Sequence, residues 1–262
     1  MSYLKSFAIS IFFILGLLFH SQAQESQIIK PILLDKEALS GVGLQKVEQK
    51  NSPERDFFQK RLYGGREISV YIVSSESWTA PFDAFWFDEF IYILHGKGVV
   101  HLENEEALFF NSGEYFFAPK GFSGKWEVQA GDNYHYELSV ITNRRADSTK
   151  VSELKTPIHL DRSILSGTEI SFDESELYSE VLADGIELDV RLCAEQPRSL
   201  EMSTSGKEQL ICIQSGMINI TDTSGEIHTF YTGDNFVLPH GFTGHWKSQG
   251  HSIVKYISVS AS

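Results

Sequence analysis

The stretch GEYFFAPKGFSGKW, Gly113 to Trp126, returns 120 residues later as GDNFVLPHGFTGHW, Gly233 to Trp246. Each has Gly, an acid, a mostly apolar run, Pro, Gly-Phe, a small hydroxyl residue, Gly and a closing Trp. Working outward, the same offset carries RLYGGREISVYI (61–72) onto VLADGIELDVRL (181–192), and EFIYILHG (89–96) onto QLICIQSG (209–216). In the closing strands it lays Tyr136 over Tyr256. A repeat held in register over this length predicts two copies of one domain, at 30–148 and 155–262. The polar stretch NRRADSTKVSELKTP (143–157) reads as the joint between them.

Inside each copy the signals are β. Runs such as ISVYIVS, FIYILHG and YHYELSVI are rich in β-branched and aromatic residues, and Gly, Asn, Asp or Ser punctuate them at short intervals. Helix signals are weak; DKEALSGVGL (35–44) predicts a turn or two. The fold class expected is all-β: two small jelly-roll barrels in tandem, from an internal duplication with a 120-residue offset.

The N-terminus differs from the rest. Lys5, the apolar run FAISIFFILGLLF and small residues at Ser21 and Ala23 predict a secretory signal over 1–23, and hence an exported, periplasmic or secreted protein. This mostly apolar run of thirteen residues falls short of the ~20 needed to span a bilayer, so no membrane role is expected once the signal is cut. The 262 residues carry 22 basic and 35 acidic side chains, a net charge of −13 that becomes −14 once Lys5 is lost. That charge argues against nucleic acid and anionic membranes as partners and by itself names no specific partner; a homodimer is a further option. Cys193 and Cys212 lie in apolar, strand-like runs, and a disulfide and two buried thiols are equally open readings.

At these motifs the chain resembles the bicupins. Cupins carry one motif ending in Glu, six residues and Gly, and a second of Gly, five residues and Pro-x-Gly. Glu89–Gly96 and Gly113–Pro119–Gly121 fit the first copy, and Gly216 with Gly233–Pro239–Gly241 fits the second. The Gly-Phe-x-Gly-x-Trp ending is similar to the ethanolamine-utilisation and ureidoglycine-aminohydrolase type of cupin. The resemblance implies a metal held by two His, the Glu and a later His. Here the positions of the paired His fall within FDAF (82–85), with Asp83 the only donor, and the later His position is Gly124. In the second copy Glu becomes Gln209, MSTS (202–205) replaces the paired His, and Gly244 replaces the later one. Amides and hydroxyls are poor ligands for a transition metal, so no cofactor is expected and a divalent metal is the lesser alternative. His240, His245 and His251 are imidazoles that could gather at one mouth.

Strand period two decides which side chains face inward. With Glu89 inside, Ile91 and Ile93 follow, and Trp126 shares the inward face of Gly124. Gln209, Ile211, Ile213 and Trp246 match them in the second barrel. The two indoles read either as stacking platforms for a ligand or as core filling. Glu89, flanked by Trp86, Phe87 and Phe90, reads as an acid/base candidate, or as a carboxylate satisfied by the closing strand near His135 and Tyr136. The expected ligand site therefore comprises Glu89, Asp83, Trp126, His135 and Tyr136 in the first barrel, with Gln209 and Trp246 in the second. The leading expectation is an exported bicupin that binds a small polar metabolite in its first barrel without a tightly bound metal. An aminohydrolase of the ureidoglycine type and a non-catalytic structural or interaction module are the alternatives.

Overall fold

The computed structural model describes residues 28–49, 55–103, 106–143, 149–160, 165–166, 170, 172, 177–204 and 206–262. The expected signal at 1–23 lies outside them. In the described residues the chain is almost wholly β, as two jelly-roll barrels. The first copy contributes β2 (Gln45–Lys46), β3 (Phe57–Gly64), β4 (Ile68–Ser75), β5 (Trp78–Phe82), β6 (Glu89–His95), β7 (Lys97–His101), β8 (Leu108–Asn111), β9 (Tyr115–Ala118), β10 (Gly124–Gln129) and β11 (His135–Thr142). The second contributes β13 (Leu177–Asp184), β14 (Leu188–Glu195), β15 (Ser199–Ser203), β16 (Gln209–Ser215), β17 (Met217–Asp222), β18 (Ile227–Tyr231), β19 (Asn235–Leu238), β20 (Thr243–Gln249) and β21 (Val254–Ala261).

Each barrel closes a large sheet over a four-stranded one, β5-β10-β7-β8 in the first and β15-β20-β17-β18 in the second. The large sheets are apolar on both faces, which is why β6 reads EFIYILH without a polar alternation. Ile91, Ile93 and Phe116 face the first barrel's interior with Trp126. Phe90, Phe117, Leu138 and Val140 face outward and share one core with Leu188, Val190, Leu192, Leu210 and Val259 of the second barrel.

Two arms cross between the barrels. β1 (Ile32–Leu33), from the start of the first copy, pairs antiparallel with β19 of the second barrel. β12 (Ile158–Leu160), past the joint, pairs with β9 of the first. The large sheets are therefore β12-β9-β6-β11-β4-β3-β2 and β1-β19-β16-β21-β14-β13. The arms are themselves a repeat: PILLDKEALSG (31–41) and PIHLDRSILSG (157–167) match at an offset of 126, outside the 120-residue register of the barrels. After β1 the chain makes the short helix α1 (Lys36–Leu39), capped by Asp35, whose carboxylate accepts from the Glu37 N–H at 2.9 Å.

A reciprocal clasp ties the barrels together. Buried Asp88 accepts the backbone N–H groups of Lys120 and Glu187 at 2.7 Å each, and that of Leu188 at 3.2 Å. Its repeat partner Glu208 accepts those of Arg66 at 2.7 Å and of Glu67 and Ile68 at 3.0 Å each. Asp88 thus serves the joint between barrels and not the site around Glu89. A Cβ on Gly65 would stand 2.1 Å from Glu208 Oε2, and one on Gly185 2.2 Å from Asp88 Oδ2, so only glycine admits either carboxylate.

Candidate functional site

In the first barrel, β4, β6 and β11 turn Val73, Glu89, Ile91, Ile93, Glu137 and Ser139 to the interior, since Glu137 pairs with Ile93 and Ser139 with Ile91. The Ser139 hydroxyl donates to the Glu89 carboxylate. Burial first, and the charge of Glu137 second, push the Glu89 carboxyl up to about 8. Glu137 meets His135 Nε2 at 2.8 Å, and the buried His135 keeps Nδ1 without a partner. Trp126, 5% exposed, lies 5.3–6.3 Å from the rings of Phe82, Phe85, Phe116 and Phe122. Trp86, expected to flank Glu89, is 64% exposed.

Two expected site residues lie elsewhere. Asp83 is exposed, on the loop after β5. Tyr136 pairs with Ser74, while Tyr256 pairs with Cys193, so Tyr136 faces away from the barrel and Tyr256 faces into it. The cause is a connection one residue shorter in the second copy: 130–134 joins β10 to β11, and 250–253 joins β20 to β21. A one-residue slip exchanges the faces of a strand. Lys255 is therefore the structural counterpart of Tyr136, and Val254 that of His135.

The second barrel holds a polar group that the motif comparison missed. Glu195 is fully buried; one oxygen accepts the Trp246 indole N–H at 2.7 Å and the other accepts Arg198 Nε at 2.7 Å. Beside them a cavity of about 90 Å³ is lined by Gln209, Tyr256, Trp246 and Arg198, with Leu200, Met202 and Ile211. A signal for it lies in β14, where Asp189, Arg191, Cys193 and Glu195 fall on the inward period of the strand. Cys193 lies in this barrel's core and Cys212 in the core between barrels, on opposite faces of one sheet, and both are free thiols.

The residues present do not fit a cupin metal. A Cβ at Gly124 would meet the His101 carbonyl oxygen at 2.8 Å, and one at Gly244 the Thr221 carbonyl oxygen at 2.4 Å, so neither position has room for an imidazole. His240 Nε2 stands 3.3 Å from Arg66 Nη1, and His245 Nε2 lies 3.0 Å from Ser199 Oγ. Among the described residues the one convergent group of ligand atoms is Asp222, Glu226 and His228. It sits at the β17–β18 turn, where Asp222 already accepts from the Ser224 N–H at 2.8 Å and the Glu226 N–H at 3.2 Å.

A family model described as an EutQ-like cupin domain matches residues 77–136 and 192–256. Among solved structures, a protein of unknown function from Pseudomonas syringae pv. tomato is 16% identical with a TM-score of 0.62, over 88% of this chain and 99% of that one. A cupin 2 conserved barrel domain protein from Leptotrichia buccalis is 12% identical with a TM-score of 0.56, over 91% of this chain and 99% of that one. The salicylate 1,2-dioxygenase of Pseudoaminobacter salicylatoxidans is 12% identical with a TM-score of 0.55, over 88% and 84%. No curated protein matches the sequence.

Proposed function

The chain carries the cupin fold twice, and from that premise we propose that it binds a small polar molecule in the interior of the second barrel, without a tightly bound metal. One observation carries the reading: polar groups converge on an interior cavity there. At about 90 Å³ it is a small cavity, with room for the polar end of a ligand. Gln209 offers an amide donor and acceptor, and Tyr256 a hydroxyl. Glu195 already neutralises Arg198, so the group admitted is uncharged, of carboxamide or urea type. Calorimetric titration with acetamide, methylurea and acetate tests this. Saturable binding of the two amides, lost in Gln209→Leu, is expected. Equal binding to Gln209→Leu, or a preference for acetate, would overturn it.

A second reading rests on Glu89. A carboxyl that keeps its proton near neutrality, beside Ser139 and facing Glu137, suits a general acid and supports hydrolytic turnover in the first barrel. Under that reading Glu89→Gln abolishes turnover and leaves amide binding in the second barrel intact. We also infer export; the chain recovered from its host should then begin at Gln24 by mass spectrometry.

A further inference from the structure

The cleft between the barrels, of about 640 Å³, is within the size range of small-molecule sites. On one wall the rings of Tyr92 and Tyr115 stack with centroids 4.3 Å apart. On the other, Gln214 donates through its amide to the Tyr115 hydroxyl at 3.1 Å, next to Ser215 and Lys255. The lining includes one cation and no carboxylate, and Lys255 forms no ion pair among the described residues.

The repeat supplies an internal control. On the opposite seam Leu94, His95 and Tyr136 stand where Gln214, Ser215 and Lys255 stand here, since Tyr136 pairs with His95 as Lys255 pairs with Ser215. There Leu39 and Ser40, the repeat counterparts of Leu165 and Ser166, close on the Tyr136 ring, and the space is about 320 Å³. A Cβ on Gly41 would touch that ring at 2.5 Å. The ring that fills one seam is thus missing from the other, and an ammonium group replaces it.

We propose that this cleft binds a small aromatic carboxylate, its ring against Tyr92 and Tyr115 and its carboxylate on Lys255. The site is separate from the second barrel's cavity. Calorimetric titration of the full chain with benzoate is the test, with benzyl alcohol lacking the charge and acetate lacking the ring. Benzoate should bind saturably and the other two at least about tenfold more weakly. Lys255→Met should weaken benzoate by a similar factor, Lys255→Arg should retain it, and Lys255→Tyr should block it by rebuilding the opposite seam. Gln209→Leu should leave it unchanged, which distinguishes this site from the barrel site. No saturable benzoate binding, equal binding of benzyl alcohol, or an unaffected Lys255→Met would overturn the proposal.

Discussion

Glu89 is where burial alters chemistry most directly. Its carboxyl keeps a proton up to about pH 8 in the folded chain, against an ordinary value of 4.5. Between those values the folded state binds more protons than the unfolded one, so stability contributed by this residue falls as pH rises and is fully lost above about 8. Glutamine mimics the protonated form and can still accept from Ser139. Melting curves from pH 5 to 9 should show Glu89→Gln flattening that decline and raising Tm at the alkaline end; parallel curves for both proteins would refute the shift. Glu89, Trp126 and Trp246 could be aimed inward only by combining strand period with the cupin motif positions, because β6 is apolar on both faces and period alone does not choose between them. Tyr136 could not, because a single missing residue in the connection at 250–253 reverses the face on which its repeat partner lies. Glu195 was equally out of reach of motif matching, since its counterpart at the same register is Ser75.

At the scale of elements, the repeated turn is a steric device. Gly113 and Gly233 both have φ of 88°, a left-handed conformation that suits glycine. Gly124 and Gly244 instead press against β7 and β17, with gaps of 2.8 and 2.4 Å at the missing Cβ. Gly244→Ala should therefore cost more stability than Gly124→Ala, each within the ~1–3 kcal/mol typical of overpacking. Chemical denaturation of the two variants checks the order, and equal losses would refute it. The same packing repeats beneath the turns: Phe110 stacks on Phe116 at 4.1 Å, and Phe230 on Phe236 at 3.9 Å. The strands and turns were legible because they obey local rules. The partners of β1 and β12 were not, because strand pairing at the edge of a sheet depends on distant chain.

Over the whole molecule, the clasp and the exchanged arms make the two barrels one unit. Asp88 and Glu208 each bind the hairpin turn of the other barrel, and Lys120 reaches Glu187 at 3.0 Å in a buried ion pair. Pieces 24–154 and 155–262, produced together, should co-elute as a complex in size-exclusion chromatography; two folded, separate monomers would contradict the exchange. The arms also set an order for biosynthesis. As the chain emerges N-terminus first, β9 of the first barrel has no strand on its outer side until Leu160 has followed, and the leading arm finds no place to dock until Leu238 has followed. The leading arm is therefore among the last segments to be secured, and the first barrel's large sheet is complete only once the chain has entered the second copy.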